Sequence, residues 1–438
     1  MGSEIVLMLL GVLFVMILSG IHIGIALGLI SGLGVYLIVG NVDAALSIIS
    51  STAYDAVRNQ VFAVIPLFVL MGDIVAKSGA ATDLYRLCDR GLSRLPGRLA
   101  VATVAGNAVF AAVTGVSVAS AATFSRVAYP EMRRFGYQRK YALGAVAGSA
   151  CLGMLIPPSI LLIVWGILTE ISVGALFVAG VVPGIVLALL FAIYNVVKAI
   201  RNPEVAPKIT VDVSDEETPE QRRKERLGGL GILALIATVI GGIWGGFFTP
   251  SEAAGMGVVG ALILGVAKGM RGPQLLQAIY DAGKTTAPIL FLLITASMYS
   301  RLLAFGGIVG IIQGFFNDLG VSPFMLVLII AVIWLLLGML IDSVSIILLT
   351  VPIFVPLVMQ TGFDPVAFAI FGILVIEAGL LTPPFGLLVY TVKGSVVDSE
   401  VTLSDIFIGS VPYLIMILMV AAMIWAFPSL AIGLITFM

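Results

Sequence analysis

The chain has 438 residues, 60% hydrophobic and only 11% charged, with a mean hydropathy of +1.16 and a net charge of −1. Soluble domains carry about a quarter charged residues and about 45–50% apolar ones, so this composition excludes a water-soluble globule and requires a polytopic, all-α membrane protein. The charge balance offers nothing to a nucleic acid, Cys88 and Cys151 lack motif spacing, and the lone histidine, His22, leaves too few ligands for haem, zinc or a di-iron centre.

A bilayer core of about 30 Å asks for about 20 apolar residues per spanning helix. The N-terminus, Met1-Gly2-Ser3-Glu4, lacks the basic region of a cleavable signal, so the first apolar run, 5–20, is expected to be retained. Further runs follow at about 21–40, 61–76, 99–125, 142–168, 173–197, 230–248, 252–267, 285–300, 323–341, 343–359, 365–392 and 406–435. That is about a dozen membrane segments and no soluble domain. The longest polar stretch, Lys198 to Arg226, holds Asn202-Pro203, Ala206-Pro207, Asp215-Glu216-Glu217 and Arg222-Arg223-Lys224, and reads as a linker or surface helix between two membrane halves.

Of the 23 basic residues, ten fall between Lys77 and Lys140, seven between Lys198 and Arg226, and three between Lys268 and Lys284. These clusters are expected on the cytoplasmic face. The uncharged stretch between Arg98 and Arg126 has basic flanks on both sides. A single crossing would put one flank outside, whereas a re-entrant hairpin puts both inside, with Thr114-Gly115-Val116-Ser117-Val118-Ala119-Ser120 at its tip. An internal repeat supports the second arrangement. Pro130, Gly136, Gly153 and Pro157-Pro158 recur at Pro356, Gly362, Gly379 and Pro383-Pro384 with one offset of 226, and Gly180 and Pro183 recur at Gly409 and Pro412 after a three-residue insertion. The basic loops of the first copy correspond to basic-poor loops in the second, so the repeats are expected to be inverted. The predicted organisation is N-terminal scaffold helices over 1–60, repeat 1 over 61–197, a cytoplasmic linker with connecting helices over 198–284, and repeat 2 over 285–438.

Four irregular elements carry the chemistry: the tips at 114–120 and 340–346, and the double-proline breaks at Leu155-Ile156-Pro157-Pro158-Ser159 and Leu381-Thr382-Pro383-Pro384-Phe385-Gly386. A proline pair unwinds its helix and frees carbonyls, tolerated at membrane depth only inside protein or along a cavity. One such pair is most simply a kink. A duplicated pair facing a duplicated polar tip points to a transport site, with half-helix N-termini for an anion and unwound oxygens for a cation. Asp342, beside Ser343 and Ser345, can supply the anionic oxygen of a sodium site, hard cations favouring oxygen ligands, or cap its helix, or both. Glu377 is either a proton-coupling acid or a hydrogen-bonded structural carboxylate, and Asp73 is open in the same way. Thr249-Pro250-Ser251-Glu252 reads as a capping box. Gly283-Lys284-Thr285 lacks the glycine and βαβ context of a phosphate loop, and His22 reads as packing or interfacial.

Taken together, Gly153-Met154-Leu155-Ile156-Pro157-Pro158-Ser159, Thr249-Pro250-Ser251-Glu252-Ala253-Ala254, Asp342 with Pro352 and Pro356, and Thr382-Pro383-Pro384-Phe385-Gly386 resemble the large membrane subunit of tripartite ATP-independent periplasmic (TRAP) transporters, essentially over the whole chain. The resemblance implies an elevator-type ion-transporter fold and sodium-driven import of a small organic solute, typically an organic acid, across the cell inner membrane. It also implies two partners, a small membrane subunit, here expected as a separate chain, and a periplasmic substrate-binding protein. Carried onto this sequence, it implies one sodium site from Thr114, Gly115 and Ser117 with the Gly153–Pro157 break. A second comes from Asp342 and Ser345 with Gly379, Thr382 and Pro383. Substrate is expected between them, at Ser120, Pro158, Ser159 and Pro384, with Arg301 or Arg126 as candidates for its carboxylate. The first tip departs from the pattern, reading Gly115-Val116-Ser117 where family members often carry two adjacent small polar residues. A passive channel and an intramembrane serine hydrolase using Ser117 or Ser120 are the rival classes, the latter without a histidine or intramembrane lysine base near those serines.

Overall fold

The computed structural model describes residues 2–207 and 218–437, so Lys208 and the acidic run Asp215-Glu216-Glu217 lie outside the described residues. The chain opens with α1 (Gly2–Leu18), α2 (Ile23–Val39) and α3 (Val42–Arg58). The side chains of His22 and Asn41 start α2 and α3 by accepting from the N–H groups of Gly24 and Ala44, at 3.2 and 3.0 Å, satisfying donors that a helix start leaves unpaired.

Two runs of like order follow. The first contains α4 (Val64–Lys77), α5 (Ala80–Gly91), α6 (Arg98–Thr114), α7 (Ser117–Arg134), α8 (Arg139–Ala150), α9 (Ile160–Thr169) and α10 (Val173–Arg201). The connectors α11 (Pro219–Trp244) and α12 (Pro250–Ala267) lead into α13 (Gly272–Gly306), α14 (Ile308–Asp318), α15 (Pro323–Gly338), α16 (Ser343–Met359), α17 (Pro365–Gly379), α18 (Leu387–Ser395) and α19 (Leu403–Ala426), with a last short turn, α20 (Ser429–Ile432). Each run is thus a long helix, a short arm, a hairpin, a broken helix and a long helix. The polar stretch around 198–226 divides between the end of α10 and the start of α11, so Arg222-Arg223-Lys224 is helical. Thr249 and Glu252 form the expected capping box at the start of α12, and Gly283-Lys284-Thr285 is continuous helix inside α13.

The first hairpin is closed at its base as well as at its tip. Tyr137, just past α7, accepts on its hydroxyl oxygen from the N–H of Leu99 at the start of α6, at 3.4 Å, so the two basic flanks meet on one side. The repeat-mates α4 and α13 meet where Lys77, at the C-terminal end of α4, pairs with Asp281, in the first third of α13. The two runs share one order of elements, and the reversed loop charges mark them as inverted.

The basic face is neutralised largely from within the chain. Arg86 and Arg90 of α5 grip Glu225 of α11, Lys268 reaches Asp83, and Arg139 reaches Glu400. Tyr129 donates to Asp398 at 2.8 Å, and that bond, with Arg139 nearby, holds the Asp398 carboxyl below its usual range. Among the described residues six helical stretches, Gln60–Lys77, Val173–Arg201, Glu220–Trp244, Pro250–Ala267, Gly272–Gly306 and Leu403–Ala426, are long and apolar enough to cross a bilayer. The halves of the broken helices, 9–15 residues each, reach only about 14–22 Å and cannot span alone.

Helices approach closely where side chains vanish. A Cβ on Gly144 of α8 would strike the carbonyl oxygen of Gly409 in α19, and one on Gly409 would strike the carbonyl of Lys140, the small-residue packing that draws membrane helices together. Across the repeats, Trp165 of α9 and Trp334 of α15 meet edge to face at 5.9 Å, both resting over Gly372 of α17. Gly409→Val is expected to destabilise the protein by about 1–3 kcal/mol or more through overpacking, lowering the melting temperature in detergent. Gly283→Ala, at a position with open space around its Cβ, is expected to leave it unchanged.

Candidate functional site

The first tip is a two-residue turn. Gly115 ends α6 with φ 63° and ψ 16°, a left-handed conformation that glycine adopts without a Cβ penalty, and its N–H donates to Ala111. Val116 is extended, and α7 begins at Ser117. The turn sits directly on the first break: a Cβ on Gly115 would lie 2.7 Å from the carbonyl oxygen of Pro158, and the Ile160 N–H donates to the Gly115 carbonyl at 3.3 Å. From below, a Cβ on Gly153 would lie 2.9 Å from the Ser117 backbone nitrogen. In the break itself Ser159 donates to the Met154 carbonyl at 2.5 Å and accepts from the Leu162 N–H at 3.4 Å, thereby starting α9. The Pro157-Pro158 bond is cis, as is Pro383-Pro384.

The second tip differs in chemistry. Asp342 caps α16, its Oδ1 accepting from the Ser345 N–H at 3.0 Å and its Oδ2 from the Ser345 hydroxyl at 2.5 Å. The capping role open to Asp342 is therefore realised. Thr382 of the second break turns its hydroxyl back to the Ala378 carbonyl at 2.9 Å, and the Gly386 N–H donates to Met339 at 3.4 Å. Gly379 lets α17 lie against α15, where a Cβ would be 2.7 Å from the Cα of Gly338. The two breaks are unequally covered: Pro157, Pro158 and Ser159 are buried, whereas Thr382 is half-buried and Pro383 and Pro384 are exposed.

Both tips face one cavity of about 530 Å³. Val116, Ser117 and Val118 from the first tip, Ile341 to Ser345 from the second, and Met154, Leu380 and Leu387 from the breaks form one wall. The opposite wall comes from the α1–α2 corner, including Ile21 and His22, and from Pro288, Ile289 and Leu292 of α13. The lining is mainly apolar, with its polar groups concentrated at the two tips and at His22, whose ring lies 6.4 Å from Phe291.

Of the residues singled out from sequence, Ser117, Asp342 and Ser345 line this cavity. Thr114, Gly115, Gly153 and Pro157 sit behind the first tip, and Gly379, Thr382 and Pro383 behind the second. Ser120 is buried one turn into α7, and its hydroxyl has no hydrogen-bond partner. Pro158, Ser159 and Pro384 belong to the breaks and do not line the cavity. Neither does Arg301, an exposed residue nine positions beyond Leu292 in α13, a rise of about 13 Å. Arg126 is exposed and faces a separate cavity of about 430 Å³ beside Arg86 and Arg134. Among the described residues no group of three or more His, Cys, Asp or Glu side chains gathers. The unpartnered Ser120 hydroxyl and the Asp342 carboxylate are hard oxygen donors.

The sequence reading left one arrangement unseen. Glu377, in the last turns of α17, accepts from the Ser117 hydroxyl at 2.6 Å and from the Ser343 hydroxyl at 2.9 Å. The offset of 226 already pairs Ser117 with Ser343, and that equivalence was the available signal.

Two hairpin tips seated on two interrupted helices, inverted relative to each other and sharing a cavity with a separate helical wall, define a multi-pass membrane protein of the secondary-carrier class. Residues 10–430 match the family described as Tripartite ATP-independent periplasmic transporter, DctM component, and the chain belongs to that family as a TRAP transporter large membrane subunit. It is 31% identical to the C4-dicarboxylate TRAP transporter large permease protein DctM of Pseudomonas aeruginosa, over 87% of each chain. It is 29% identical to the ectoine TRAP transporter large permease protein TeaC of Halomonas elongata, over 95% of this chain and 96% of that one. Among solved structures, the Alcanivorax borkumensis YdaH transporter shares the fold, with a TM-score of 0.65 at 14% identity over 87% of this chain and 88% of that one. The chain is a transport subunit, and the hydrolase alternative falls with the family assignment.

The two duties open to Asp342 separate by substitution. Asp342→Ala removes cap and charge, costing about 0.5–2 kcal/mol of stability; Asp342→Asn keeps a good cap and removes only the charge. Both variants are expected to cut solute uptake by reconstituted vesicles at least tenfold, while only the alanine variant lowers the melting temperature. Full uptake by Asp342→Asn would mean that the carboxylate serves the helix alone.

Proposed function

We propose that this chain is the sodium-coupled importer of a small organic solute, a carboxylate or a zwitterion bearing one, working in the cell inner membrane. The observation that carries the reading is the convergence of both tips, each seated on a helix break, on a single cavity that is also lined by other helices. Oxygen donors of the kind sodium takes cluster at the tips, and the helix N-termini at Ser117 and Ser343 offer positive dipole ends to an anion. The named solutes of the relatives, C4-dicarboxylates and ectoine, together with the sialic acid of the Vibrio cholerae large permease protein SiaM, 27% identical over 96% of this chain and 95% of that one, all carry a carboxylate group.

In this reading the hairpins and broken helices move as a unit against α1–α4 and α11–α13, an elevator motion in which α5 and α14 are the connecting arms. The exposed apolar faces of the scaffold helices, including Leu29 and Leu33 of α2 and Leu230 of α11, are available to lipid and to a small membrane subunit, and a periplasmic binding protein hands over the solute. Vesicles containing this chain, a small subunit and a loaded binding protein are expected to accumulate solute only under an inward sodium gradient. Equal accumulation with potassium or choline replacing sodium would overturn the coupling. A bifunctional thiol reagent joining Ile289→Cys to Val344→Cys across the cavity, in a background lacking Cys88 and Cys151, is expected to arrest uptake reversibly; undiminished uptake by the cross-linked protein would overturn the relative motion.

A further inference from the structure

The carboxylate of Glu377 occupies a position that a two-fold repeat cannot supply twice. Its two oxygens each accept one hydroxyl, Oε2 from Ser117 and Oε1 from Ser343, and those serines are equivalent residues of the two repeats, 226 positions apart. Each is the first residue of its helix, α7 or α16, where unpaired N–H groups and the positive end of the helix dipole favour nearby negative charge. The repeat-equivalent of Glu377 is Cys151, whose thiol lies 3.7 Å from the Glu377 carbonyl oxygen. One acid, 1% exposed, therefore serves both tips.

Burying a carboxylate is costly unless its oxygens are occupied, and here the hydroxyls that occupy them belong to the moving parts of two separate sites. Glu377 ties the first hairpin to the second through its own helix, which continues two residues later into the Gly379 break.

We propose that Glu377 is a positioning residue that couples the two tips, so that the cation sites behind them fill cooperatively. The inference rests on the sodium reading above and adds a regulation to it. A cation that orders one tip fixes the hydroxyl on one carboxylate oxygen. The fixed carboxylate presents its other oxygen to the second tip, which then needs less ordering when its own cation binds, the condition for positive cooperativity.

The test is sodium binding by the full-length membrane complex in detergent, read by melting temperature and by intrinsic tryptophan fluorescence, with choline maintaining ionic strength. Trp165 and Trp334 lie just beyond the first break and just before the second tip, so they report on both sites. The wild type is expected to bind sodium with a Hill coefficient above unity. Glu377→Gln is expected to raise half-saturation at least tenfold and bring the coefficient to unity, with Glu377→Asp restoring part of the cooperativity. Ser117→Ala and Ser343→Ala are expected to be non-additive in the wild-type background and additive once Glu377→Gln is present. Unchanged affinity and cooperativity in Glu377→Gln overturns the coupling while leaving sodium dependence intact; should that variant fail to assemble, strict additivity of the two serine variants overturns it instead. A wild type whose signals do not respond to sodium overturns the sodium reading itself.

Discussion

Unpaired backbone polar groups cannot face hydrocarbon, and most of the structure can be understood as an answer to that constraint. Each proline pair releases backbone groups where a continuous helix would have bonded them. Each hairpin turn does the same at its tip. The chain resolves both problems together by seating a tip on a break, so that Gly115 meets Pro158 and Ile160, and Met339 meets Gly386. Gly153 is small because the Ser117 backbone lies against it. The first break is thereby enclosed by protein, the second keeps Pro383 and Pro384 exposed, and both tips open to the shared cavity.

The same economy governs charge. Basic residues concentrate on one face, as the positive-inside bias requires, yet many are paired with acids from elsewhere in the chain: Lys77 with Asp281, Arg86 and Arg90 with Glu225, Lys268 with Asp83, Arg139 with Glu400. These pairs join the arm α5 to the connector helices and the start of α8 to the loop before α19. Glu225 and Asp83 are buried, so removing their basic partners would leave buried charges uncompensated; the exposed Arg139–Glu400 pair contributes little by itself.

Much of this was legible in the sequence because it rests on residue types with narrow physical meanings. Double prolines can only interrupt a helix, Gly136 and Gly362 mark matching turns with φ of 77° and 80°, and the clustering of lysine and arginine revealed the hairpin and the inversion. What was not legible depended on distance in three dimensions. A buried glutamate reads alike as a proton carrier or a structural acid until Ser117 and Ser343 are seen on its two oxygens. His22 could be read only as packing until the α1–α2 corner was placed across the cavity from the tips. Arg301 and Arg126 were candidates for the partner of a carboxylate, and only the path of α13 and α7 shows that neither lines the shared cavity.

The two repeats have kept a common backbone and divided the chemistry between them. At matching positions the first repeat has Val116 and Cys151 where the second has Asp342 and Glu377, so the acids at the heart of the site come from one copy. The covering follows the same division: the first break is buried and the second exposes its prolines. The second repeat thus carries both carboxylates, Asp342 at its tip and Glu377 on the Ser343 hydroxyl next to it. The first tip retains its hydroxyls, the second supplies the exposed carboxylate of Asp342, and Glu377 lies between them where both repeats can share it. Inversion supplies two similar sockets; the departure from symmetry puts both acids, Asp342 and Glu377, on the second of them.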